Sequence, residues 1–86
     1  MTIVHATTFS KNALDQVETA AKAATAVDGV VGYRILGGGD TITLHLEVAD
    51  HATFDRIGEH AEASKASAAL WEAYPPQSHQ FLHVLS

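Results

Sequence analysis

The chain has 86 residues, of which 47% are hydrophobic and 17% charged, with a formal net charge of −5; it lacks the compositional marks of disordered and phosphate-tracking proteins. Its five basic residues, Lys11, Lys22, Arg34, Arg56 and Lys65, are scattered, so no nucleic acid is expected as a partner. Without cysteine there is no disulfide or thiolate chemistry, and no apolar run approaches the roughly 20 residues of a membrane span, so one soluble cytoplasmic domain over residues 1–86 is expected.

"TIVHATTF" predicts a first strand, because β-branched and aromatic residues dominate it up to Ser10. "SKNALDQVETAAKAATAVDG" predicts a helix, with Ser10 or Asn12 as cap, Asp15 in the first turn and Gly29 as the stop. Leu14, Val17, Ala21 and Ala24 form its thin apolar stripe, suited to close packing on a sheet. "VVGYRIL" and "TITLHLEV" follow, and the "GGGD" between them supplies the positive φ of a tight antiparallel hairpin.

With Leu36 set opposite Thr41, Val31, Tyr33 and Ile35 share a core face with Ile42, Leu44, Leu46 and Val48. The other face carries Val30, Gly32, Arg34 and Leu36 beside Thr41, Thr43, His45 and Glu47, a mixture that suits an assembly surface. From Asp50, a favoured cap residue type, the pattern is helical again, with Phe54, Ile57, Ala61 and Ala68 as its stripe. Leu70 falls off that stripe, which points to a kink or second helix around Ala63 to Ser67. Pro75 and Pro76 end the helix, and "HQFLHVL" forms the last strand.

Strand, helix, strand, strand, helix, strand winds as an α+β, ferredoxin-like βαββαβ sheet in the order 4-1-3-2, antiparallel, with both helices on one face. On the reading that Val4 and Ala6 face the helices, Ile3, His5, Thr7 and Phe9 point to the open side with His45, Phe81, His83 and Leu85. His5, His45 and His83 would then be neighbours, either hydrogen-bonded within a subunit interface or, as a lower-ranked alternative, holding a metal ion. On the second helical stretch His60, Ser64, Ser67 and Trp71 recur at i, i+4, i+7 and i+11, a stripe able to line a cleft reached by Tyr33 from the sheet. "GGGD" is no phosphate loop, since it joins two strands and lacks the following Lys and Ser/Thr.

The strand order, the length and the stretch "LHLEVADHATFDRIGEH" together resemble the dimeric α+β barrel superfamily, especially its small antibiotic-biosynthesis-monooxygenase-like domains. That resemblance implies two sheets paired into a barrel, hence a homodimer through the open face. It further implies a cofactor-independent monooxygenase acting on an aromatic phenol or quinol, bound by Tyr33, Trp71 and Ser64 with proton transfer at His60. Haem is not expected, because Asn12 lies outside the first strand and Trp71 lies downstream of His60, unlike the pattern in haem-degrading members. Ala49 and Asp50 likewise stand where related oxygenases often carry tryptophan. The alternative is a non-catalytic homodimer that binds a metabolite or serves in assembly.

Overall fold

Alternation of aliphatic and polar side chains sets the central strand, and the rest of the sheet is built around it. The computed structural model describes residues 2–85. In β3 (Thr41–Val48), Ile42, Leu44, Leu46 and Val48 are buried and the residues between them are half-exposed, the signature of a strand covered on one side. β2 (Val30–Gly38) and β1 (Ile3–Ser10) flank it, and β4 (Ser78–His83) forms the outer edge beside β1. All pairings are antiparallel, in the order β2-β3-β1-β4, which is the expected ferredoxin-like order.

The β2–β3 hairpin runs further than expected. Leu36 pairs with Thr43 and Gly38 with Thr41, leaving Gly39 and Asp40 as the turn, with Gly39 at φ +60°. The displacement is two residues, so the facing of Tyr33 and Ile35 toward the core survives it. A β-bulge between Val30 and Gly32 does change faces: Val30 pairs with Val48 and packs on the core, while Val31 is left 59% exposed. These two residues therefore exchange the sides expected for them.

α1 (Leu14–Ala24) follows a 3-10 turn at Lys11–Ala13, where the Ser10 hydroxyl accepts from the Asn12 amide. It buries Val17, Ala20, Ala21 and Ala24, so the stripe is the alanine face, and Leu14 turns outward. Small side chains let this helix lie close to the sheet and to α3. At the chain's return, Gly29 holds φ +98°, and a Cβ there would meet the Thr53 side chain and the Arg56 guanidinium. Gly29 thus closes the helical segment and leaves room for the next helix to pack.

That next helical stretch is two helices, α2 (Ala52–Glu59) and α3 (Ala61–Ala73). Asp50 caps the first through its carboxylate, which accepts from the Thr53 amide at 3.0 Å and the Thr53 hydroxyl at 2.9 Å. The break falls at His60, whose backbone is extended at φ −80°, ψ 122°, a few residues earlier than the sequence suggests. One non-helical residue resets the angular phase. Ala63, Ala66, Ser67 and Leu70 become the inward positions, and Ala61 and Ala68, expected on the stripe, are exposed. The Cα envelope of 32 × 31 × 16 Å is that of one sheet with one helical layer, leaving the other sheet face bare. No helix among the described residues is long and apolar enough to cross a membrane.

Candidate active site

β1 decides where the polar chemistry goes. Its two alternating lines are Ile3, His5, Thr7 and Phe9 on one side and Val4, Ala6, Thr8 and Ser10 on the other. The first line lies beneath the helices: His5 pairs with Leu46 of β3 and Phe81 of β4, and Phe9 with Ile42. Phe9 is 1% exposed and Thr7 3%. The orientation expected for β1 is therefore reversed, because the larger apolar side chains, Ile3 and Phe9, gain more from the core than Val4 and Ala6. β4 reverses with it, so His79, Phe81 and His83 stand on the helical side, across from Thr7, His5 and Ile3.

The expected His5, His45 and His83 neighbourhood consequently does not form. His45 pairs with Ala6 and Arg34 on the bare face, with the sheet between it and the other two. Among the described residues no three His, Asp or Glu side chains converge as a metal site.

What the reversed strand builds instead is a cleft of about 180 Å³ between sheet and helices. His5, Thr7, Leu44 and Leu46 contribute from the sheet, alanines of α1 from one flank, and Phe54, Ile57, Ser67, Leu70 and Trp71 from α2 and α3. Aromatic rings crowd its β4 end. The His5 imidazole stacks on Phe81 with centroids 4.6 Å apart and planes at 13°, and meets Phe54 edge-on at 5.6 Å. His79 stands 5.5 Å from His5 and 6.2 Å from Trp71, while His51 and His83 approach each other at 6.2 Å beside Phe81.

Burial among these groups pulls the His5 imidazole below its ordinary range, and the charge of neighbouring His79 acts in the same direction. His5 is therefore neutral at pH 7, with one nitrogen free to accept a proton or a hydrogen bond. Its Nε2 lies 3.4 Å from the Thr7 hydroxyl, a long contact that leaves room for a closer partner. A neutral imidazole on the lining of an aromatic slot is an arrangement able to take a proton from a bound hydroxyl.

The residues singled out from sequence are divided by the structure. Trp71 and Ser67 line the cleft; His60, Ser64 and Tyr33 do not. His60 spends its Nδ1 on the Ala63 amide, accepting at 3.2 Å as the cap of α3. Ser64 sits one helical turn on, its amide donating to the His60 carbonyl. Tyr33 points to the helical side as expected, and packs against both core clusters. His5 and Phe54 are cleft residues that periodicity alone did not single out. Weighting β1 by apolar size instead of counting apolar positions would have found His5, because Ile3 and Phe9 outweigh Val4 and Ala6.

A wider groove of about 300 Å³ crosses the bare sheet face, lined by Val4, Val31, Arg34, His45 and Glu47 among others. The packed aromatic pairs surround the cleft beneath the helices and not this groove. The cleft is accordingly the better candidate for small-molecule chemistry, although it is smaller.

No protein-family model and no curated protein matches the chain. Solved structures do. The cofactor-independent oxygenase SnoaB from Streptomyces nogalater superposes with a TM-score of 0.82 at 13% identity, over 99% of this chain and 94% of that one. Rv0793 from Mycobacterium tuberculosis gives 0.78 at 16% identity, covering 100% and 97%. A putative antibiotic biosynthesis monooxygenase from Chloroflexus aurantiacus J-10-fl gives 0.81 at 9% identity, covering 100% and 95%. The chain thus shares the α+β fold of these proteins.

Proposed function

We propose that the protein is a monooxygenase-like enzyme that oxidises a phenol or quinol without a bound cofactor, in the cleft between sheet and helices. The carrying observation is the His5 imidazole on the lining of the cleft, stacked on Phe81 and edge-on to Phe54. The likeness in fold to a cofactor-independent oxygenase supports the choice of reaction class. On this reading Trp71 and Phe54 hold the aromatic ring, Phe81 backs the His5 imidazole, and His5 takes over the proton-transfer role that the sequence offered to His60.

The chemistry needs few groups. His5 accepts the proton of a ring hydroxyl, and Thr7 donates a hydrogen bond to the oxygen as charge develops on it. The electron-rich anion then reduces dioxygen, the oxidant. For a hydroquinone, one oxygen atom joins a ring carbon to give the hydroxyquinone and the other leaves as water.

A homodimer through the bare sheet face belongs to the same proposal. Leu36 and Leu82 are 44% and 42% exposed there, beside Val4 and Ala6, and a second sheet would remove them from water. Light scattering on a sizing column is expected to report about twice the chain mass.

Oxygen uptake across a panel of phenols and hydroquinones tests the activity. Consumption that is lost in His5→Phe and retained in His60→Ala is the expected result. Saturable ligand binding with no oxygen consumption for any member would overturn the enzymatic reading in favour of a binding module. Oxygen uptake unaffected by His5→Phe would remove the assigned base.

A further inference from the structure

The cleft has features that constrain its ligand more narrowly than its fold does. Among the side chains that line it there is no Lys, Arg, Asp or Glu, and His5 is the sole titratable group. An ionic substituent brought inside would lose its water without gaining a counter-charge, which is strongly unfavourable. The chain's net charge of −5 adds a further bias against anions as they approach. Hydroxyl groups meet no such barrier, since His5 and Thr7 can accept from and donate to them.

Size acts alongside charge. A cavity of about 150 Å³ is enough for one benzene ring, and this cleft measures about 180 Å³. Sites for drug-sized molecules run from about 300 Å³ upward. The cleft therefore has space for one ring and a small substituent. Its walls oppose enlargement: Leu70 is 2% exposed, and Ala20 and Ala21 are 4% and 1%, all three fixed in the packing of α1 against α3.

We propose that the cleft selects uncharged single-ring phenols and hydroquinones and turns away both aromatic carboxylates and fused-ring phenols. This rests on the reading of the cleft as a phenol site, which it narrows to a ligand class. Selection against carboxylates depends on pH through His5, the one imidazole on the lining. Around it at the β4 end stand His79 and His83 on β4 and His51 at the head of α2; α3 contributes the uncharged Trp71. Protonation of His5, which burial and neighbouring His79 hold below the ordinary imidazole range, gives the lining the cation it lacks at neutrality.

Trp71 is the only tryptophan of the chain and lines the cleft, so its indole N–H resonance reports occupancy directly. Three probes separate the terms: para-methoxyphenol, para-hydroxybenzoate and anthrol, titrated at about pH 8 and again at about pH 5.5. Saturable shifts with para-methoxyphenol are expected, with para-hydroxybenzoate about tenfold or more weaker at the higher pH and the gap narrowing at the lower. Anthrol is expected to give no saturable shift. Ser67→Lys, which sets a cation on the lining from a helical position, is expected to recover para-hydroxybenzoate binding at the higher pH.

Binding of para-hydroxybenzoate or anthrol as tight as that of para-methoxyphenol in the unmodified protein would overturn the proposal. Selective binding of para-methoxyphenol without oxygen uptake sustains it and removes the oxygenase reading. Oxygen uptake with anthrol or para-hydroxybenzoate does the reverse. A Trp71 resonance unmoved by all three probes overturns both.

Discussion

β3 and β1 lie side by side at the centre of the sheet and deliver different things to the same space. β3 sends four aliphatic side chains inward, Ile42, Leu44, Leu46 and Val48, and its inward line is apolar throughout. β1 sends Ile3 and Phe9 inward at its ends, with His5 and Thr7 between them. The first strand completes a core. The second has two polar side chains at its middle, where a third aliphatic pair would pack better, and that is where the cleft opens. On the proposed function, a strand that departs from the stabilising pattern at its centre, while keeping it at both ends, exchanges stability for chemistry there.

The sharpest way to break the comparison is to attack the part of β1 that behaves like β3. Phe9→Ala removes a ring that is 1% exposed, and chemical denaturation is expected to show a loss of roughly 3 to 5 kcal/mol. A loss below about 1 kcal/mol would mean that the ends of β1 do not anchor the core.

His5→Leu makes the inward line of β1 resemble that of β3. Oxygen uptake is expected to fall about a hundredfold or more, while stability at neutral pH holds or rises by up to about 1 kcal/mol. The pH dependence follows from the lowered His5 pKa. The unfolded chain takes up this proton near pH 6.5 and the folded protein only at lower pH, so acidification through that interval favours unfolding. Above it the group contributes no slope, and below the folded pKa the loss is complete and constant. The leucine variant should lack this part of the acid slope in denaturation curves taken from about pH 7.5 down to pH 5.

His79→Gln changes the environment of His5 from across the β1–β4 pairing. Removing that neighbouring charge is expected to move the His5 titration back toward its ordinary value by less than burial displaces it, as read by NMR of the imidazole protons. The smallest effect belongs to the bare face. His45→Ala should leave ligand shifts of Trp71 unchanged within error, since the sheet separates it from the cleft. A changed affinity would mean that the two faces are coupled.

The same two strands show how much a sequence discloses. "ITLHLEV" can be oriented from its letters, because every second residue is aliphatic and the alternate ones are polar. "IVHATTFS" cannot be oriented by counting, because each of its lines carries two apolar and two polar residues, and the choice turned on the volumes of Ile3 and Phe9. That one reversal carried His5, Phe81 and His83 to the helical side and dissolved the expected histidine neighbourhood. The fold survived it, since strand order depends on connection lengths and handedness and not on the facing of one strand. His60 was legible as a polar position on a helix. Its role as a cap was not: Gly58, two residues before the break, was the local signal that could have located it.

The extra residue in β2 has a consequence at the rim of the molecule. Val31 interrupts the regular spacing of main-chain donors and acceptors along an outer strand, and the added local twist bends that rim away from a straight line. An incoming extended segment, including β2 of another copy, finds the ladder out of step at the start of the strand. At the opposite rim the six residues of β4 follow Pro75 and Pro76, which offer no amide hydrogen. Both rims thereby resist the unlimited strand-on-strand growth that leads to fibres, without any charge being spent on the task.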